Sequence, residues 1–259
     1  MTVDDNLSLP RILCLHGGGV NAQTFRLQCR TISAQLAHTF RLVFMDAPYP
    51  SNPHKDIVAF FGDLAPFYRW QPWNSEQPEL PPTAGAEDIM NSCLAAMDQD
   101  PGSGPWAGVL GFSQGAKVAI SLLWAQQRAE TSLGRGQART QFKFGVIMAG
   151  SAPIIHLDLR LPKPRHIADA AIFSTAFEDY PRGPQGHHVL RIPTLHVHGL
   201  QDEGLDRHRR LLELYCQPDT TRLVEWDAGH RLPVKTVDAQ VVVDEMLALA
   251  SETGAIKHS

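Results

Sequence analysis

The chain lacks the features that mark several large classes of protein. Its 259 residues include only four cysteines, Cys14, Cys29, Cys93 and Cys216, which lie far apart and form no C-x-x-C pair. This spacing argues against a zinc site and against a disulfide framework, so four buried thiols are expected. No motif in the sequence indicates a bound metal or any other cofactor.

Charge of one sign and long apolar runs are also scarce. The formal net charge is −4 with an isoelectric point near 6.3, and no block of like charges offers a footprint for nucleic acid or an anionic membrane. No stretch approaches the roughly 18 apolar residues of a membrane span. Residues 1–10 carry two aspartates and no apolar run of a secretory signal. We therefore expect a soluble, cytoplasmic protein that acts on a small molecule or an acyl carrier.

Short apolar runs alternate with helical patterns along the chain. Runs that are apolar on both faces are typical of buried parallel strands, and their alternation with helices predicts an α/β fold with a doubly wound, mostly parallel sheet. The length and the 43% hydrophobic content fit one domain over 1–259. The predicted strands lie at 11–15, 41–45, 106–110, 144–148, 194–197 and 222–226, and the predicted helices at 22–37, 86–97, 114–128, 206–214 and 237–249.

Two stretches interrupt this alternation. The first insertion, 49–82, is rich in proline and aromatic residues, and the second insertion, 153–184, is rich in proline and charge. Long insertions after strand ends are where such folds build lids and substrate walls, so lid-like insertions are expected. Aromatic side chains of the first insertion would either bind a hydrophobic acyl chain or form a satellite core that holds the insertion down. The predicted substrate-binding residues are Phe67, Tyr68, Trp70 and Trp73.

The segment 111–115 reads Gly-Phe-Ser-Gln-Gly and has the G-x-S-x-G pattern of a hydrolase nucleophile. It follows the predicted strand 106–110 and opens a helical pattern, which places Ser113 on a tight strand-to-helix turn. A serine hydroxyl is a poor nucleophile until a base takes its proton, and this turn exposes Oγ to such a base. Side chains at Gly111 and Gly115 would crowd the turn. The pattern is frequent by coincidence, so its meaning depends on the partners of Ser113.

An acid and a histidine follow Ser113 in the order found in the α/β-hydrolase fold. Asp202 comes just after the predicted strand 194–197, and His230 follows the next predicted strand. Because the carboxyl ends of parallel strands share one edge of a sheet, all three residues are delivered to the same rim. We predict a catalytic triad in which Ser113 is the nucleophile, His230 the base and Asp202 its orienting acid. The alternatives for the acid are Glu203, Asp206, Glu225 and Asp227.

Acyl transfer also needs two backbone N–H groups aimed at the developing oxyanion, each worth roughly 2.7–4 kcal/mol of barrier. Gln114 supplies one at a helix N-terminus, where the helix dipole adds to it. The other is expected from the glycine-rich loop 15–19, because glycines allow the backbone to approach the substrate. Gly18 is the predicted donor and Gly19 the alternative. A phosphate-binding loop is disfavoured, since the P-loop Lys-Ser/Thr pair and the dinucleotide spacing are missing.

Taken together, these motifs resemble the fungal serine hydrolase family of the α/β-hydrolase fold, which is similar to the human ovarian-cancer-associated protein 2. The segment 67–70 with Trp73 also resembles the Arg-Trp-Trp stretch of that family's first insertion. The resemblance spans nearly the whole chain, through segments 12–17, 104–115, 193–199 with Asp202, and 229–233.

The resemblance implies the mechanism firmly and the substrate loosely. Members of this family in fungal gene clusters act as stand-alone thioesterases that release a polyketide chain from the acyl carrier of a synthase, and others are carboxylesterases. It therefore implies a thioesterase of secondary metabolism that releases a polyketide or fatty acyl chain, with the acyl carrier domain of a polyketide synthase as partner. A small-molecule carboxylesterase is the alternative. A non-catalytic binding protein that has kept the fold is a third hypothesis, against which the intact triad speaks.

Overall fold

A six-stranded sheet in which all neighbouring strands are parallel forms the centre of the protein. The computed structural model describes residues 6–73, 77–78, 80–171 and 176–257. The sheet confirms the predicted doubly wound α/β architecture and gives the α/β-hydrolase fold. Its strands are β1 (Arg11–Leu15), β2 (Arg41–Met45), β3 (Trp106–Phe112), β4 (Phe144–Met148), β5 (Thr194–Gly199) and β6 (Thr221–Trp226).

The strands lie in the order β6-β5-β4-β3-β1-β2. From β1 the chain first adds β2 on one side and then builds β3 to β6 on the other, so the winding direction reverses between β1 and β3. Loops that leave the carboxyl ends of two such strands diverge and open a crevice, which is where open α/β sheets bind ligands. The glycine-rich loop after β1 and the turn that carries Ser113 after β3 border this crevice.

Helices cover both faces of the sheet, as the alternation of side chains along a strand requires. The helices are α1 (Ala22–Gln28), α2 (Arg30–Leu36), α3 (Lys55–Phe61), α4 (Pro82–Gln99), α5 (Gln114–Ser132), α6 (Leu205–Tyr215) and α7 (Thr236–Glu252). In β1, Ile12 and Cys14 face the core under α1, α2 and α7, whereas Leu13 and Leu15 face the core under α4, α5 and α6. Among the described residues, no helix is both long and apolar enough to cross a bilayer.

The helix predicted over 22–37 is two helices rather than one. The side-chain oxygen of Asn21 accepts a hydrogen bond from the Thr24 N–H and caps the start of α1. At Cys29 the backbone leaves helical geometry, with ψ at 5°, and α2 begins one residue later. Apolar periodicity alone does not show this break, because the residues on both sides keep burying the same face.

The first insertion carries secondary structure that the sequence pattern does not reveal. Two of its segments, Tyr49–Ser51 and Phe67–Arg69, pair as a short antiparallel ribbon, and α3 lies between them. The carbonyl of Tyr68 accepts a hydrogen bond from the Gly19 N–H, and the Tyr68 N–H donates to the Val20 carbonyl. The insertion is therefore joined by main-chain hydrogen bonds to the loop after β1.

The second insertion packs into the core rather than over the crevice. Its apolar residues Ile155, Leu157 and Ile167 are buried in the cluster that includes α5, and the Tyr215 hydroxyl of α6 donates to the His166 carbonyl. None of its described residues lines either of the two cavities beside Ser113. The apolar side chains of its described residues therefore fill the core and leave the walls of these two cavities to other segments.

Candidate active site

Ser113 occupies a strained turn between β3 and α5. Its φ of 55° and ψ of −116° lie outside the regions that L-residues usually adopt, and its own N–H is held by the Met148 carbonyl at 2.9 Å. The flanking glycines are needed for the predicted reason. A Cβ at Gly111 would lie 2.2 Å from the Gly115 carbonyl oxygen, and one at Gly115 would lie 2.0 Å from the Leu15 carbonyl oxygen.

The structure brings the three residues of the predicted triad into one hydrogen-bonded relay. The His230 Nε2 lies 2.9 Å from Ser113 Oγ, and the His230 Nδ1 lies 2.7 Å from Asp202 Oδ2. Because a carboxylate only accepts, Nδ1 carries the proton and Nε2 is left to accept from the serine hydroxyl. The Phe112 ring stands 4.9 Å from the His230 ring and supports its orientation.

The loops that carry Asp202 and His230 are tied to each other. The N–H of Leu200 donates to the Trp226 carbonyl, and the N–H of Gln201 donates to the Ala228 carbonyl, both at 2.9 Å. A Cβ at Gly199 would lie 2.4 Å from the Ala228 oxygen, so a glycine lets these two strand ends approach. Register between β5 and β6 thus fixes the acid against the histidine.

Asp202 is buried and fully engaged as an acceptor. Oδ2 receives the His230 N–H, and Oδ1 receives the Gly204 N–H at 2.8 Å. Burial acts to raise the pKa of Asp202, but these hydrogen bonds outweigh it and hold the pKa below its usual range. The carboxylate therefore stays ionised across the neutral range, as a group that orients a histidine must.

The other acids considered for the triad are placed elsewhere. Glu225 pairs with Arg209 at 3.0 Å, and Asp227 accepts a hydrogen bond from the Gln201 side chain. Glu203 and Asp206 are exposed. Asp202 alone among the predicted candidates is hydrogen-bonded to His230 within the described residues.

Of the three predicted oxyanion donors, Gln114 and Gly18 lie where their N–H groups can face the substrate, and Gly19 does not. Gln114 is the first residue of α5, where an N–H has no acceptor within the helix, and Gly18 borders both cavities beside Ser113. The N–H of Gly19 instead donates to the Tyr68 carbonyl at 2.8 Å, with Gly19 in left-handed geometry at φ 69°. The prediction of Gly19 as the alternative donor is wrong, because its N–H is already hydrogen-bonded to a carbonyl of the first insertion.

The side chain of Gln114 has a second role that the sequence does not show. Its Oε1 accepts from the Trp70 N–H at 3.1 Å, and its Nε2 donates to the Gln71 carbonyl at 2.9 Å. A Cβ at Gly18 would lie 2.9 Å from this side chain and from the Trp73 ring. Gln114 thus fastens the first insertion beside the two N–H groups predicted to bind the oxyanion.

Gln114→Ala is expected to lower the free energy of unfolding by about 1–3 kcal/mol and also to lower kcat/KM, because the amide latch is lost while the backbone N–H stays. Gln126→Ala is the matched control, since the Gln126 amide makes a similar pair of hydrogen bonds to the Phe142 backbone away from the cavities. Thermal unfolding and ester hydrolysis measure both effects. If the two variants lose equal stability and neither loses activity, Gln114 serves the fold only.

Two of the predicted substrate-binding aromatics are structural. Trp70 is fully buried and donates its indole N–H to the His16 carbonyl at 2.7 Å, and Phe67 is buried in the core. Tyr68 is partly buried and packs against the other core cluster. Only Trp73 of the four lines a cavity beside Ser113. Burial contradicts the prediction for Phe67 and Trp70, whose rings hold the insertion down, whereas the role of the partly buried Tyr68 in substrate binding stays a prediction.

Two cavities meet at Ser113 and His230. The larger has a volume of about 600 Å³, and its lining is mostly polar, with Gln71 and Trp73 from the first insertion and Lys117 from α5. The smaller, of about 220 Å³, has a mostly apolar lining contributed by Ile57, Phe61, Phe112, Leu232 and Val234. An ester has an acyl half and a leaving half, so this site offers a separate space to each side of the reacting carbonyl.

Buried histidines continue behind the relay. The His208 ring stands 6.2 Å from the His230 ring, and its Nδ1 lies 3.9 Å from Asp202 Oδ2. Burial lowers the pKa of His208 to about 4, so this ring is neutral near pH 7. Asp202, His208 and His230 offer potential metal-ligand atoms within 4.8 Å of one another. A cation bound there would have to replace the Asp202–His230 hydrogen bond, so these residues suit the relay better than a metal.

An α/β sheet that presents a serine on a strained turn, hydrogen-bonded to a histidine and an aspartate, defines an enzyme of the serine hydrolase class. Comparison with known proteins agrees with this class and narrows it. Residues 6–242 match the family model described as serine hydrolase (FSH1). The chain belongs to this family.

Similar proteins carry the name esterase. Esterase claE of Penicillium crustosum is 44% identical over 262 residues, which cover 98% of this chain and 97% of the relative. Esterase dbaE of Emericella nidulans is 44% identical over 267 residues, covering 98% and 95%. Among solved structures, acyl-protein thioesterase 2 of Zea mays superimposes with a TM-score of 0.55 at 17% identity over 95% of both chains, a likeness of fold alone.

Proposed function

We propose that this serine hydrolase acts through an acyl-enzyme on Ser113. The observation that carries the proposal is the relay from Asp202 through His230 to Ser113 at the junction of the two cavities. His230 takes the hydroxyl proton as Oγ attacks an ester or thioester carbonyl, and Asp202 stabilises the imidazolium that forms. The N–H groups of Gln114 and Gly18 receive the oxyanion of the tetrahedral intermediate.

Collapse of that intermediate expels the leaving group. His230 gives its proton to the departing alcohol or thiol, and the acyl group stays on Ser113. Water then attacks the acyl-enzyme with His230 again as base, which releases a carboxylic acid and restores the serine hydroxyl. The partially exposed His230 side chain and the open cavities beside it give water access to this second step. No metal or cofactor takes part in the proposed sequence.

The substrate we propose is a polyketide or fatty acyl thioester on an acyl carrier in secondary metabolism. The resemblance to stand-alone releasing enzymes supports it, and so does the similarity to named esterases over nearly the full chain. The second candidate is a small-molecule carboxylester, which the name esterase of these relatives favours. A cytoplasmic location fits the buried, unpaired thiols of all four cysteines.

Hydrolysis of one acyl group presented as a thioester and as an oxyester, across several chain lengths, separates the two candidates. Carrier release predicts a thioester preference beyond the intrinsic chemical difference, growing with chain length. Ser113→Ala serves as the blank. Equal or oxyester-favouring rates on short chains would assign the protein as a carboxylesterase and remove the carrier proposal.

A further inference from the structure

Lys117 is a buried lysine that lines the larger cavity. It lies on α5 four residues after Ser113, is only 3% exposed, and lines the cavity together with Ser113 and Gln114. Helix positions four apart share a face and differ by about 6 Å along the axis. Side chains on a helix lean toward its N-terminus, so the Lys117 side chain leans back toward the end that carries the reacting serine.

A lysine at this position is costly to the fold. Its neighbours on α5, Ala116, Val118, Ala119 and Ile120, are fully buried, and an apolar residue of similar length would pack among them without burying a charge. Burial first, and the charge of Arg207 second, lower the pKa of Lys117 to about 7. A thioether or alkyl chain at this position would avoid that desolvation cost.

Two exposed basic residues, Lys55 on α3 and Arg207 on α6, line the same cavity. Of these, Arg207 is the one whose charge acts on Lys117. Of the acids that also line this cavity, Asp202 is committed to His230, while Asp56 and Glu203 are exposed. Among the described lysines and arginines that line this cavity Lys117 alone is buried, and the one buried carboxylate, Asp202, already accepts a hydrogen bond from His230.

The part of the cavity at Lys117 suits the half of the substrate that stays bound longest. The leaving half must depart before water attacks, whereas the acyl half remains on Ser113 through both steps. Because the Lys117 side chain is only 3% exposed, a group that binds to it lies in a part of the cavity that the protein covers.

We propose that Lys117, assisted by Arg207, binds an anionic oxygen on the acyl half of the substrate and selects acyl groups that carry a carboxylate or enolate a few atoms from the scissile carbonyl. This inference rests on the proposed acyl-enzyme mechanism. The larger cavity is then a subsite that binds an anionic group rather than an apolar chain. This agrees with the burial of Phe67 and Trp70, whose rings do not line that cavity.

The test compares the para-nitrophenyl monoester of glutaric acid with the corresponding ester whose free carboxylate is an amide. The wild type is expected to favour the anionic ester at least about tenfold in kcat/KM after correction for intrinsic reactivity. Lys117→Met is expected to bring this ratio near one, and Arg207→Gln to lower it less. Lys143→Met, at an exposed lysine outside both cavities, is the matched control and should keep the wild-type ratio.

An unchanged ratio in Lys117→Met, or in Lys117→Gln should the first variant fail to fold, would overturn the proposal. So would a lysine-dependent anion preference that appears only when the carboxylate is on the leaving phenol. Binding of glutarate against its monoamide to Ser113→Ala protein, measured by calorimetry, needs no turnover. If the wild type hydrolyses neither ester but glutarate binding depends on Lys117, the acyl-enzyme mechanism is rejected and the anion subsite stands. If the wild type hydrolyses both esters without preferring the anionic one, the mechanism stands and the anion subsite is rejected.

Discussion

Ser113→Ala is expected to lower kcat for any ester or thioester substrate by on the order of 10⁶, because the substitution removes the oxygen that attacks the carbonyl. What remains should be the modest acceleration that positioned oxyanion donors provide without a nucleophile. The fold should be retained, since the substitution removes one oxygen and leaves the strained turn and its Met148 hydrogen bond in place.

A fluorophosphonate probe and steady-state kinetics measure this effect together. The wild type should be labelled covalently and the variant should not. Ser132→Ala, at an exposed serine at the other end of α5, is the control and should label and turn over like the wild type. Turnover by Ser113→Ala at the wild-type rate would show that Ser113 is not the nucleophile. Absence of labelling and of turnover in the wild type would favour the hypothesis of a non-catalytic binding protein with a hydrolase fold.

Asp202→Asn is expected to lower kcat by on the order of 10⁴ with little change in KM. The amide keeps the shape of the carboxylate but can present an N–H to His230 Nδ1, which favours the tautomer that places the proton on Nε2. Ser113 then faces a donor instead of a base. The negative charge that stabilises the imidazolium in the transition state is lost as well.

Glu225→Gln and Asp227→Asn are the controls for this second prediction, because each carboxylate neighbours the strand end but pairs with a different side chain. Both should keep kcat within a small factor of the wild type. A loss of the predicted size in either of them, together with an active Asp202→Asn enzyme, would mean that a different acid orients His230.

The relay can be predicted from the sequence because each of its three residues lies shortly after a predicted strand. Ser113, Asp202 and His230 each follow an apolar run directly, and a parallel sheet gathers the carboxyl ends of its strands at one edge whatever lies between them. The strand positions and the glycines of the turn can be predicted for the same reason, since they depend on neighbours in the chain.

The roles of Trp70, Gly19 and Lys117 depend on contacts between distant residues. The sequence does not distinguish an aromatic residue that lines a cavity from one that packs in a core. Trp70 packs inward, where its indole N–H donates a hydrogen bond to the His16 carbonyl. Gly19 is excluded as an oxyanion donor by Tyr68, which lies far along the chain. Lys117 lies on the buried face of a helix, where the sequence pattern would place an apolar residue. Its proposed role follows from the cavity that it lines, which the sequence does not show.

The main-chain hydrogen bonds between the loop after β1 and the first insertion link substrate range to reaction rate. Gly19 donates to Tyr68 and accepts from His54, so the backbone beside Gly18 is held by residues of the insertion. Replacing that insertion with a segment from a relative would change the cavity wall and the oxyanion geometry together. Divergence of this enzyme toward new substrates, in nature or in the laboratory, is therefore constrained to insertions that preserve these backbone pairings.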